Sequence, residues 1–177
     1  MKTLRTLAVL PLLAVAAQAE SFTVDVQVGY GKPKTSLASS HADNNSIVGI
    51  GIGKQLNENF HLGADFSTRN VVDASNTIDS AARTLMLDLT YELNGNGGIK
   101  PFVGAGIGYA WLKNTASATG LAANINAGIR FPISEQIDLV LMGRNVQVYN
   151  VDFSNAAGRT NQTIRSWEGV AGLRFKL

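Results

Sequence analysis

Lys100-Pro101-Phe102-Val103-Gly104-Ala105-Gly106-Ile107-Gly108-Tyr109-Ala110-Trp111 is the stretch that decides the fold. Val103, Ala105, Ile107, Tyr109 and Trp111 alternate with Gly104, Gly106, Gly108 and Ala110. Successive side chains of a strand point to opposite faces, so this period of two predicts a strand with one apolar and one small-residue face. A helix would be weakened by glycine at every second position. Phosphate binding is excluded by pattern: the glycines do not form G-x-G-x-x-G, and Gly53-Lys54 is followed by Gln55 rather than Ser or Thr. The glycines are read as leaving interior room for bulky neighbours or easing strand curvature.

The same alternation recurs on both sides of this stretch. Phe22 to Tyr30, Val48 to Gly53, Phe60 to Ser67, Leu85 to Leu93, Ala123 to Phe131 and Trp167 to Leu177 all read with period two. Ile137, Leu139 and Leu141 begin a seventh run in chain order, and there the parity breaks. Apolar residues shift to Val146 and Val148 around Gly143-Arg144-Asn145. A bulge at the glycine or an early end to the strand would each explain the break. The connections alternate in length. Asn57-Glu58-Asn59, Asn94 to Ile99 and Pro132 to Gln136 are short and turn-like, while 33–46, 70–82, 113–121 and 152–163 are longer and polar. Eight strands joined this way predict an antiparallel up-and-down meander in one domain, residues 20–177.

Residues 1–19 have a different character. Met1 to Arg5 is a short basic segment, Leu7 to Ala17 is apolar, and Ala17-Gln18-Ala19 has the small-residue pattern of a signal peptidase site. The expectation is a signal peptide over 1–19, cleaved before Glu20. Its removal takes Lys2 and Arg5 and leaves 13 basic against 13 acidic residues. The formal +2 of the 177-residue chain therefore belongs to the export signal, and nothing in the charge argues for nucleic acid. With no cysteine and only His41 and His61, thiolate chemistry and a His-rich metal site are excluded, and no cofactor or metal is expected.

Face identity sets the compartment. A soluble sandwich hides its apolar face, whereas a membrane barrel shows it to lipid. Export and strands near the 9–11 residues needed to cross a bilayer with tilt favour the barrel. Aromatics also collect toward strand ends: Phe22, Phe60, Phe102, Phe131 and Phe175 on the short-turn side, and Tyr30, Phe66, Tyr109, Trp111, Tyr149 and Trp167 on the loop side. The predicted fold is an all-β, eight-stranded antiparallel transmembrane β-barrel in the outer membrane.

The signal segment, the Lys100 to Tyr109 run and the alternating Leu173-Arg174-Phe175-Lys176-Leu177 end resemble small Gram-negative outer-membrane β-barrels, nearest the OmpA/OmpX and opacity-protein group. The resemblance implies outer-membrane lipid, lipopolysaccharide and the barrel assembly machinery as partners, with a surface ligand conceivable through the loops. Barrels of this group usually end in Phe; here Leu177 is last and Phe175 stands two before it.

Asp25, His61, Asp65, Asp88, Glu92, Arg130, Arg144, Glu168 and Arg174 fall on the inward face. An eight-stranded barrel is only wide enough for side chains to fill it. Buried charges must be paired, so a structural ion-pair network plugging the barrel is the leading reading. A narrow channel is the alternative, and His61 and Asp65, four apart on one face, could orient one another. Phe153-Ser154-Asn155-Ala156-Ala157-Gly158, followed by Asn161, is similar to the H-x-S-N-A-G segment of outer-membrane lipid A deacylases. That resemblance implies Ser154 as nucleophile, but Asp152 occupies the place of the His base, Glu168 is an unanchored match for the orienting Glu, and His41 and His61 lie elsewhere. The expectation is a non-enzymatic structural or surface-interaction protein with no catalytic residue.

Overall fold

In the computed structural model every alternating run is a strand. The structure describes residues 22–35, 44–72, 78–93, 98–113, 117–155 and 158–177. The strands are β1 (Phe22–Thr35), β2 (Asn44–Gln55), β3 (Phe60–Val72), β4 (Ile78–Glu92), β5 (Lys100–Lys113), β6 (Ser117–Pro132), β7 (Ile137–Asn155) and β8 (Gly158–Lys176). Each pairs antiparallel with its chain neighbour, and β1 pairs with β8 from Thr23↔Lys176 to Thr35↔Ile164. The barrel is closed, so the sheet keeps no edge through this belt and the backbone groups find partners within the ladder. The segment 1–19 and its cleavage site lie outside the described residues.

The short turns are held by their own side chains. Asn57 Oδ1 accepts hydrogen bonds from the backbone N–H of Asn59 (3.0 Å) and Phe60 (2.8 Å). Ser134 Oγ accepts from Gln136 (3.3 Å) and Ile137 (3.1 Å) in the same manner. These local bonds are why Asn and Ser punctuate the sequence there. Gly98 has φ +84°, a conformation L side chains rarely adopt, which accounts for a glycine ahead of β5.

The long connections are shorter than the sequence predicts. Much of 33–46, 70–82, 113–121 and 152–163 is strand: β1 runs to Thr35, β3 to Val72, and β7 to Asn155 with β8 resuming at Gly158. β7 and β8 each have 19 residues, well above the 9–11 that cross a bilayer. Beyond the hydrocarbon a ladder no longer needs one apolar face, so period two fades from the sequence while the backbone pairing continues.

The parity break in β7 has neither of its expected causes. The pairing with β6 is continuous from Leu121↔Tyr149 to Pro132↔Asp138, through Gly143 and Asn145. The register shift lies further on, between Val148 and Val151 against β8. Val146 and Val148 therefore point into the barrel, where both are buried. What changes at Gly143 is the polarity of the two faces, not the course of the strand.

The outward face is apolar around the whole cylinder. Val26, Val28, Ile50, Leu87 and Val103 are exposed, and Ile107 is 71 % exposed. A continuous belt of this kind is incompatible with water and matches the lipid-facing band of a membrane barrel. Among the described residues no helix is long and apolar enough to span a membrane; the crossing is made by strands. Phe60 and Tyr91 pack with tilted rings 5.0 Å apart at the short-turn rim, and Tyr109 and Trp111 meet edge-on at 5.1 Å at the loop rim. Phe102 corrects the expected girdle: it has inward parity and is buried, filling the space above Gly128.

Candidate functional site

Among the described residues, the interior is where the fold concentrates titratable groups. All nine residues expected on the inward face are there, joined by Arg69 and Asp138. The sequence carried the signal for both. Arg69 continues the parity of His61, Asp65 and Ser67 past the point where the apolar alternation of β3 fades, and Asp138 sits between Ile137 and Leu139, on the other face from the apolar residues that mark the run.

The charges form two layers. Nearer the loops, Glu168 accepts from Arg69 Nε (2.5 Å) and Nη2 (3.0 Å) and from Arg144 Nε (2.6 Å). Arg144 reaches Asp65 at 3.3 Å, and Gln27 Nε2 donates to the other oxygen of Asp65. Arg144 and Glu168 are direct cross-strand partners, so the β7–β8 register itself places them together. Nearer the short turns, Arg174 forks onto Asp25 with bonds of 2.8 and 2.9 Å. Arg130 pairs with Glu92 and lies 3.4 Å from Asp138, which also meets Lys176 at 2.9 Å. Bidentate guanidinium–carboxylate geometry is the strong form of such pairs.

Asp88 stands between the layers and is held by amides: Asn124 Nδ2 at 2.8 Å and Asn126 Nδ2 at 3.2 Å. His61 and Asp65, expected to orient one another, have separate partners. His61 Nε2 lies 3.0 Å from Thr23 Oγ1, while Asp65 takes Gln27 and Arg144. The glycines do make room for bulky neighbours. A Cβ at Gly106 would press on the Asp88 carboxyl group, one at Gly104 on Asn126 Oδ1, one at Gly53 on the His61 ring, and one at Gly31 on Glu168 Cγ. Gly108 clears Met86 in the same way.

Toward the loops the interior is mixed: Ser67, Thr84 and Arg69 are buried there and bonded to one another. Met86, Ala110, Ala122 and Val148 form a buried apolar layer with Ile164 packed on it. Below that layer remains a cavity of about 80 Å³ bordered by Asp25, His61, Asp88, Arg130 and Arg144. That is room for a handful of waters. The space is small and lined by both charged and apolar side chains. Of the deacylase-like segment, the backbones of Ser154 and Asp152 pair with Arg159 and Asn161 in the β7–β8 ladder. Their side chains, and all of His41, lie outside the described residues. Glu168 is committed to two arginines inside the barrel.

Comparison with known proteins fits this geometry. The family model described as outer membrane protein beta-barrel domain matches residues 6–175. The chain belongs to that family. Its outer-membrane location and eight-stranded closed barrel are those of the family. Among solved structures, this outer-membrane barrel is similar to Neisserial surface protein A, with a TM-score of 0.73 at 20 % identity over 88 % of this chain and 97 % of that one. The N-terminal β-barrel domain of Pseudomonas aeruginosa OprF gives 0.58 at 17 % identity over 90 % and 100 %. The outer membrane enzyme PagL gives 0.50 at 17 % identity over 84 % and 97 %. At these identities the likeness is one of fold, and one fold carries binding and enzymatic proteins alike. No curated protein matches the sequence.

Proposed function

We propose that this outer-membrane barrel works through its outer surface, in a structural or surface-interaction role, and neither conducts nor hydrolyses. The supporting observation is the filled interior: two layers of ion pairs and, beside them, a buried apolar cluster. An interior spent on packing leaves the rim and lipid-facing wall as the surfaces able to meet a partner. The partners that fit are outer-membrane lipid, lipopolysaccharide and, during insertion, the assembly machinery. The β7–β8 hairpin, the longest in the barrel, is the element best placed to present a surface ligand site.

The hydrolytic alternative rests on the Ser154 segment and on the fold shared with an outer-membrane enzyme. It lacks a base, because an Asp at 152 is a poor acceptor for a serine hydroxyl proton. Mass spectrometry of lipid A from cells with and without overexpressed protein separates the two. The expected result is an unchanged acyl pattern. Loss of one acyl chain that disappears with Ser154→Ala would overturn the proposal and make the protein an enzyme.

A further inference from the structure

Charges are sorted by sign between the two faces of the barrel wall. Among the described strand side chains, every carboxylate points inward: Asp25, Asp65, Asp88, Glu92, Asp138 and Glu168. Every described strand charge on the outward face is a cation: Lys32, Lys54, Arg83 and Arg165. Three of these lie at the loop end. Lys32 is directly opposite Trp167 across β1–β8, and Arg83 directly opposite Trp111 across β4–β5. Each loop-end tryptophan thus has a cation as its cross-strand neighbour at the level where indole rings mark the membrane interface. A lone cation at this depth could simply reach into water. Two tryptophan–cation pairs on a face with no described carboxylate amount to a positively charged rim.

Below one of these pairs the wall is hollowed. Gly143 and Gly169 are side by side on β7 and β8, and a Cβ at Gly169 would meet nothing within 4 Å. Tyr30 and Leu141 border this groove on the lipid side. Directly above it the positions of outward parity turn polar, against the barrel's pattern, beginning with Asn145, which is buried with its Nδ2 donating to the Ser166 carbonyl (3.3 Å). Asn145 accepts from Gln147 Nε2 (3.1 Å), and Gln147 Oε1 accepts from Tyr149 (2.9 Å) and Arg165 (3.4 Å). One strip of wall therefore offers an apolar trough, then amide and hydroxyl groups, then Lys32 and Arg165. That order of chemistry matches an acyl chain, a sugar and a phosphate.

We infer that the β7–β8–β1 wall binds a phosphorylated glycolipid of the outer leaflet, the lipid A moiety of lipopolysaccharide, with an acyl chain over Gly143 and Gly169 and a phosphate against Lys32 and Arg165. The leaflet follows from position, since the cations lie at the end opposite the short turns, which face the periplasm in such barrels. A second copy of the barrel is disfavoured as occupant. A two-fold contact sets a patch against itself, and here would bring Lys32 and Arg165 onto like charges. The inference rests on the outer-membrane placement and does not depend on whether the protein is an enzyme.

Native mass spectrometry of the purified barrel released from detergent tests it, with lipid A or phosphatidylglycerol added at equal concentration. A cation near an anionic lipid surface contributes about a fivefold factor in affinity, so losing two lowers it roughly 25-fold. The expected result is lipid A bound to the wild-type protein and lost to about that extent in Lys32→Ala/Arg165→Ala. Gly169→Leu, which fills the trough, also loses it, while Lys54→Ala at the other rim keeps it. Unchanged binding in the first two variants overturns the site. Equal retention of phosphatidylglycerol, or a dimer abolished by Gly169→Leu with lipid A unaffected, overturns the choice of occupant. These outcomes are independent of the acyl pattern of cellular lipid A, which tests the hydrolytic reading.

Discussion

Glu168 and Asp88 show how differently two buried carboxylates can be held. Glu168 neutralises two guanidinium groups, Arg69 and Arg144. Removing its charge leaves both buried with only Asp65 nearby, and breaking a buried pair from one side costs about 3–5 kcal/mol. Asp88 is bonded by amides, so replacing it with an amide strands no cation; the cost is about 1 kcal/mol or less. Urea unfolding followed by the fluorescence of Trp111 and Trp167 should therefore show a large loss of stability for Glu168→Gln and a small one for Asp88→Asn. Equal losses would mean that the charge layers are not coupled as described. Gly106 and Gly169 form a second contrast. A Cβ at Gly106 would sit 2.7 Å from Asp88 Cγ and 2.9 Å from the Leu87 carbonyl oxygen. Gly106→Val should destabilise by about 1–3 kcal/mol through overpacking, whereas Gly169→Val, facing open space, should not. The inward positions were legible in the sequence because parity is all they require. Their pairing was not: Arg69 and Glu168 are 99 residues apart and meet only across the closed barrel.

At the scale of elements, the strands are legible wherever one face is apolar and the other is not. β5 declares itself by glycine alternation, and β4 by Leu85, Leu87 and Leu89. The signal failed in β7, where the polarity of the faces inverts. Val146 and Val148 turn inward, Val148 into the buried apolar cluster, while Asn145 and Gln147 take outward parity and Gln147 donates to the buried Asn145. Period two survives there, but with its meaning reversed, which is why the sequence suggested a bulge at Gly143. The outer end of β8 is illegible for another reason, being polar throughout Arg159 to Thr163. The β1–β8 seam is the pairing furthest from anything local in sequence, and it can be tested chemically. Val28 and Ala171 are direct partners on the outward face. The protein has no native cysteine, so a Val28→Cys/Ala171→Cys double variant should be joined within one chain by oxidation or a short bis-thiol reagent. Val28→Cys/Ile107→Cys, with its partners on opposite walls, should not. Failure of the first pair to link in folded protein would mean an open sheet or a different register.

Across the whole molecule, the interior is the feature from which the functional account follows. An eight-stranded barrel leaves an interior only wide enough for side chains, and this one fills it with arginine–carboxylate layers and a buried cluster of Met86, Ala110, Ala122 and Val148. An ion entering from the short-turn side would have to break desolvated pairs on its way through. The outer wall, by contrast, is ordered from apolar belt to polar strip to cationic rim, suited to contact with lipid. Planar-bilayer recording on the folded protein, with insertion verified independently, tests this division of roles most directly. The account predicts a silent membrane at all applied voltages. Reproducible single-channel steps of uniform size, absent when the protein is heat-unfolded before addition, would contradict it and make the interior a conduction path.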